Sequence, residues 1–179
     1  MIFEPPRHNR PMTPAVIRDA TTADFPRIVA LNAGEVAHTS AMDAARLAFL
    51  HDAACLHRVA EVDGEVAAFL LAFRDGAVYP NPNFDWFAAR YPSFVYVDRV
   101  VVDARCNGRG IGSLLYRDLF GFARGIGAAA VTCEFNVVPP NEASASFHAR
   151  WGFAEVGRQW LDEGRKQVSL QAAAAGKSP

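Results

Sequence analysis

The spacing of apolar and polar positions changes period several times along the chain, and each change marks an element. Val16-Ile17-Arg18 reads as a short strand. Thr21 or Thr22 suits a helix N-cap, with Asp24 in the first turn, and Phe25, Ile28, Val29 and Leu31 then fall near one helical face. Leu47, Phe49 and Leu50 predict a second helix over Met42 to Ala53. Two strand-like runs, Cys55 to Val62 and Glu65 to Arg74, meet at Asp63-Gly64, a strong hairpin signal. Residues 76 to 94 break the pattern by mixing prolines with Tyr79, Phe84, Trp86, Phe87 and Tyr91. They read as a long aromatic loop, either a carrier of specificity or a lid packed on the core. After it come a β-branched strand, Phe94 to Val102, and a glycine cluster leading into a helix from about Ile111 to Arg124. The chain closes with a strand at Val131 to Phe135, a helix at Glu142 to Arg150, and strands at Phe153 to Gln159 and Lys166 to Leu170.

Strands that alternate with helices after an opening hairpin predict one α/β domain with a mixed sheet. We place it at residues 15–171. Residues 1–14, with four of the eleven prolines, read as a loose leader, and 172–179 as a frayed tail.

Composition narrows the function classes. At 179 residues and 19.5 kDa the chain should bury roughly 70% of its unfolded surface, enough for a core without metal or disulfide staples. Eighteen Lys+Arg against 19 Asp+Glu leave a net charge of −1 and argue against a nucleic-acid partner. Val66 to Phe73, the longest apolar run, is too short to cross a bilayer, and MIFEPPRHNRPM has no apolar h-region, so neither a membrane nor export is expected. Cys55, Cys106 and Cys133 lack CxxC spacing and read as reduced thiols of a cytoplasmic protein. No metal is expected, since His8, His38, His51 and His57 have no ligand spacing.

The chemistry concentrates in Val102-Asp103-Ala104-Arg105-Cys106-Asn107-Gly108-Arg109-Gly110-Ile111-Gly112. Glycine at every second position lets the backbone approach a ligand, and loop N–H groups joined by those of the helix start can surround a phosphate. Arg105 and Arg109 could add charge. Gly112 has a second reading, close packing of helix on sheet. A P-loop is excluded because no lysine follows the last glycine, and the GxGxxG register of dinucleotide folds fails because Ser113 or Leu115 stands where the third glycine belongs.

This segment resembles the GNAT superfamily of acyl-CoA-dependent N-acetyltransferases, whose pattern [QR]xxGx[GA] lies between a strand and a helix. The glycines match, while Asn107 stands where Arg or Gln is usual. A second block resembles the same family: Asn141-Glu142-Ala143-Ser144-Ala145-Ser146-Phe147-His148-Ala149-Arg150-Trp151-Gly152-Phe153 parallels N-x-x-A-x-x-F-Y-x-x-x-G-F. The resemblance implies a mostly antiparallel mixed sheet of about seven strands flanked by about four helices, acetyl-CoA as co-substrate, and a primary amine, small molecule or peptide, as acceptor. It also allows a homodimer. It implies that Arg105, Asn107, Gly108, Arg109, Gly110, Ile111, Gly112 and Ser113 hold the pyrophosphate. The strand at Val100, Val101 and Val102, with Asn141 and Phe147, would take the pantetheine arm.

An acceptor amine needs a base. Period-two alternation puts Tyr96, Asp98, Val100 and Val102 on one strand face, so Asp98 is one candidate, and Glu134 on the following strand is the other. Each could instead be a structural ion pair or hydrogen-bonded core carboxylate. His148 occupies the position where many relatives carry a tyrosine acid. Either it protonates the leaving thiolate or it is a packed residue that bonds a carbonyl. Cys106 and Cys133 have no neighbour in sequence that would make either a nucleophile. Two other classes remain open at this level, an inactive acyl-CoA-binding module and a nicotinamide-dependent oxidoreductase. The aromatic segment with Asp85, Asp98 and Glu134 favours a cationic acceptor with some apolar area.

Overall fold

A computed structural model of the chain describes residues 13–36 and 39–176. The expected leader lies mostly outside the described residues, as do His8 and His38. The elements in chain order are β1 (Val16–Asp19), α1 (Phe25–Ala33), α2 (Ala44–Ala53), β2 (Leu56–Val62), β3 (Glu65–Arg74), α3 (Pro82–Ala88), β4 (Phe94–Val102), α4 (Ile111–Gly125), β5 (Ala130–Val138), α5 (Glu142–Arg150), β6 (Ala154–Leu161) and β7 (Lys166–Ala174). The seven strands form one sheet in the order β1-β2-β3-β4-β5-β7-β6. Every neighbouring pair is antiparallel except β4 with β5.

Each face of this sheet carries a core. On one, Leu115, Leu119 and Phe120 of α4 pack over Val95, Val97, Val131 and Cys133. On the other, Ile28, Leu47, Leu50, Phe84 and Phe87 from α1, α2 and α3 pack over Phe69, Leu71, Phe73 and Tyr96. Central β3 is covered on both sides, which is why Val66 to Phe73 reads as an unbroken apolar run instead of an alternation.

Three features differ from the reading of the sequence. The aromatic segment contains a helix, α3, which brings the α-helices among the described residues to five. Its start follows simple rules: Asn81 Oδ1 accepts the N–H groups of Asn83 and Phe84, and Pro82 sits at the first helical position. Tyr79, Phe84 and Phe87 are buried, so these aromatics pack on the core, and the packed-lid alternative describes them. At the C-terminus β7 runs on to Ala174, with Ala173 and Ala175 buried, so the strand enters the stretch expected to fray. Finally, β4 carries a bulge. Leu71 pairs with Arg99 and Ala72 with Val97, so Asp98 is the extra residue and the alternation changes phase there. Tyr96 and Asp98 therefore lie on one face and Val100 and Val102 on the other, where period two alone had put all four together.

Candidate active site

Parallel pairing between β4 and β5 stops early. It covers only Phe94–Tyr96 against Ala130–Thr132, and beyond Tyr96 the strands diverge. Asp103 N donates to Ala67 O of β3, so by alternation Val101 also faces β3, while Val100 and Val102 turn their N–H and C=O groups to the open side. A cleft of about 380 Å³ follows this opening, lined by Val100, Val101 and Val102, by Asn107 and Gly112, and by Asn141, Ser144, Phe147 and His148.

At one end the cleft continues into a hollow of about 320 Å³ over Asn107, Gly108, Gly110, Ile111, Gly112 and Ser113. Gly110 caps α4 in the left-handed region, at φ 73°. The N–H groups of Gly108, Gly110, Ile111, Gly112 and Ser113 make no backbone hydrogen bond among the described residues, and Leu114 N is the first to reach back, to Gly110 O. Such a cluster of free donors at a helix start suits a phosphate. A Cβ on Gly112 would meet the Phe147 ring at 3.4 Å, so this glycine also serves close packing.

The two loop arginines are not brought to that hollow. Arg105 donates to Asp103 at 2.7 Å and holds its carboxyl well below the usual carboxylate range. Arg109, Arg105, Arg27 and Asp103 line a different depression. The cation beside the donors is Arg150, from the last turn of α5.

His148 is buried on α5, its ring stacked on Phe135 and edge-on to Phe153. Nδ1 lies 2.8 Å from Ser144 O and can only donate to it, so Nε2 accepts from Tyr116 Oη at 2.7 Å. Burial pushes the imidazole pKa down to about 4. Both ring nitrogens are thus engaged within the protein and the ring is neutral at pH 7, geometry that favours the packed alternative over a proton donor.

A second cavity, of about 480 Å³, opens on the other face of the sheet between Asp98 and Arg99 of β4, Glu134 of β5, Asn81 and Asn83 at the start of α3, Thr39 and Ser40, Asp162 of the β6–β7 turn and Lys166 at the start of β7. Thr39 also lines the cleft along Val100–Val102, so the two cavities share a wall. Asp98 is tied to Arg99 at 2.5 Å and to the Tyr79 hydroxyl, and the Arg99 guanidinium donates onward to Asn32 Oδ1 at 2.9 Å and Ser40 O at 3.2 Å. Glu134 is held less tightly. Tyr96 Oη donates to its Oε1 at 2.9 Å, while buried Oε2 makes no hydrogen bond among the described residues. Burial, with Asp98 adding to it, raises the Glu134 pKa to about 7. Asp85 is exposed and lies outside this cavity.

The sequence reading missed Thr39, Ser40, Asn81, Asn83, Arg150, Asp162 and Lys166. Only Asn81-Pro82 carries a local signal, that of a helix start. The others belong to the site because the sheet gathers segments distant in sequence.

A parallel strand pair held open, a nest of free N–H groups at its mouth and a carboxylate poised near neutrality behind it define an acyltransferase built around an acyl-carrying coenzyme. A family model described as the acetyltransferase (GNAT) family matches residues 16–153, and the chain belongs to that family. Membership sets the dinucleotide alternative aside. A phosphinothricin N-acetyltransferase of Streptomyces coelicolor is 44% identical over 68 residues, and the chain spans only 37% of the length of this curated relative. Among solved structures the fold is shared with yncA from Salmonella typhimurium, determined with its cofactor acetyl-CoA (TM-score 0.70, 20% identity, 93% of this chain and 97% of that one). It is also shared with Ard1 from Thermoplasma volcanium (TM-score 0.72, 16% identity, 89% and 97%). Among the described residues no helix is long and apolar enough to cross a membrane, and no three metal-ligating side chains cluster.

Proposed function

We propose that the chain moves acetyl from acetyl-CoA to a primary amine by direct attack, with Glu134 as the base. The observation that supports this is Glu134 itself, which lines the second cavity on the strand where β5 leaves β4 and whose buried Oε2 makes no hydrogen bond among the described residues. A pKa of about 7 lets a carboxylate take a proton from an ammonium and still be largely ionised just above neutrality.

The residues present fit acetyl-CoA. The donors from Gly108 to Ser113, with Arg150, suit its pyrophosphate, and Asn141, Phe147 and the open edge of Val100–Val102 suit the pantetheine arm. When bound, acetyl-CoA supplies an activated acyl thioester. The N–H groups of Val100 and Val102 stand ready to polarise a carbonyl in the opening, donors fixed where negative charge develops. Glu134 removes one proton from the acceptor ammonium, and a second nitrogen-bound proton leaves with the thiolate. Asp98, ionised and paired with Arg99, serves as the structural carboxylate whose negative charge helps keep the Glu134 pKa high. His148 acts as a positioning residue that fixes α5 against Tyr116. We place the reaction in the cytoplasm, where Cys55, Cys106 and Cys133, all free, would stay reduced.

Calorimetry with acetyl-CoA and a thiol-release screen across primary amines test this reading. Binding together with release by at least one amine is the expected result. Absence of binding up to millimolar ligand overturns the coenzyme assignment, and binding without release across the panel leaves an acyl-CoA-binding module.

A further inference from the structure

The acceptor cavity carries both signs of charge, and their layout bears on what it takes. Resting on the acetyl-transfer reading above, we propose that the acceptor is a small amine that also bears an anionic group, and that Lys166 binds that group.

Glu134 and Lys166 stand at opposite ends of one strip of sheet. Glu134 pairs with Leu170 across β5 and β7, and Lys166 lies four residues before Leu170 on the same face, roughly 13 Å along the strand. An amine held at Glu134 therefore extends towards the Lys166 ammonium if its second functional group lies a few bonds away. The other charges leave that ammonium available. Arg99 is engaged by Asp98, Asn32 and Ser40. Lys166 makes no ion pair among the described residues, although it lines a cavity with three carboxylates. Setting Asp98 against Arg99 leaves two carboxylates, Glu134 and Asp162, and one ammonium, Lys166, in the lining; with Glu134 taking the acceptor ammonium, Lys166 is the remaining cation an anionic group can meet. A polyamine would bring a second cation to Lys166.

The turn that delivers Lys166 points the same way. Asp162 (φ 51°) and Glu163 (φ 56°) both adopt left-handed backbone ahead of Gly164 (φ 84°), a conformation that side chains resist. The four residues between Leu161 and Lys166, which pair with each other, close the hairpin in this strained form and set Asp162 and Lys166 on the lip of the cavity. Strain of this kind collects where side chains are held for a ligand.

The test is thiol release from acetyl-CoA with acceptor pairs that differ in one anionic group: an amino acid and its carboxamide, an aminoalkylphosphonate and the matching amino alcohol, and a diamine for comparison. In the wild type, kcat/KM for the anionic member should exceed that of its neutral partner about tenfold or more. Lys166→Met should bring that ratio towards one, through the acceptor KM and not through kcat, and Lys166→Glu should move the preference to the diamine. A wild type that prefers neutral or cationic amines, or uses no anionic one, overturns the proposal, as does a Lys166→Met variant that lowers both members of a pair equally. Calorimetry on the same samples separates this from failure of the underlying reading, because loss of the anionic preference leaves acetyl-CoA binding in place.

Discussion

In the proposed role of base, Glu134 would be useful for the same reason that it is costly to the fold. Its folded pKa of about 7 lies above the ordinary 4.5, so the native state holds a proton that the unfolded chain has released. The stability gained from that proton is complete below about pH 4.5 and is lost as pH rises through about 7. Activity runs the other way, since only the ionised form accepts a proton. We expect kcat/KM to climb with pH around an apparent pKa near 7, and Glu134→Gln to lose that limb together with about 100-fold or more in kcat. The same variant should unfold at higher urea than the wild type at pH 8, by about 1–3 kcal/mol, and the loss of the pH limb in kcat/KM is what separates a base from a merely buried carboxylate. Gly110 gives a second prediction at this scale. A Cβ there would meet nothing within 4 Å, but φ of 73° resists a β-branched side chain. Gly110→Val should turn the loop donors away and weaken acetyl-CoA binding by about tenfold or more in calorimetry, with a loss of stability of about 1–3 kcal/mol from the strained backbone.

Among the elements, β4 shows where reading the sequence succeeds and where it stops. Its limits were legible because Phe94 to Val102 is β-branched and aromatic, and the glycine loop after it was legible because a helix start needs donors that only a local backbone supplies. The bulge at Asp98 was not, because it exists only relative to the register of β3. That single residue sends Asp98 to the acceptor side and Val100 to the coenzyme side. Arg105 and Arg109 misled for a similar reason: an arginine near a phosphate loop looks available until the fold places it, and here Asp103 engages Arg105 while Arg109 lines the depression beside Cys106. The acceptor cavity was the least legible feature. Thr39, Asn81, Glu134 and Lys166 have no shared spacing and meet only through sheet order. The bulge also carries a buried ion pair, with side chains of Asp98 and Arg99 only 4% and 3% exposed. Arg99→Met strands the Asp98 charge and should cost about 3–5 kcal/mol in urea denaturation, and adding Asp98→Asn should recover much of it.

For the molecule as a whole, a net charge of −1 is compatible with a coenzyme whose phosphates meet local donors. The same sheet that gathers the site also leaves a weak joint. Strands β1–β4 and β5–β7 are stitched together by three residue pairs, Phe94–Tyr96 with Ala130–Thr132, against the longer ladders on either side. The two half-sheets resemble the leaves of a hinge whose pin is short. A bound acetyl-CoA would lie along the gap as the missing rung and lock the leaves together. Saturating ligand should therefore slow amide exchange most on the facing edges, Val100–Val102 and Cys133–Asn136, and add about 2.7 kcal/mol at one hundred times Kd. Uniform slowing across the chain would show that the joint does not open on its own. In that light the substrate completes a half-built sheet, and release of the spent coenzyme amounts to unzipping it.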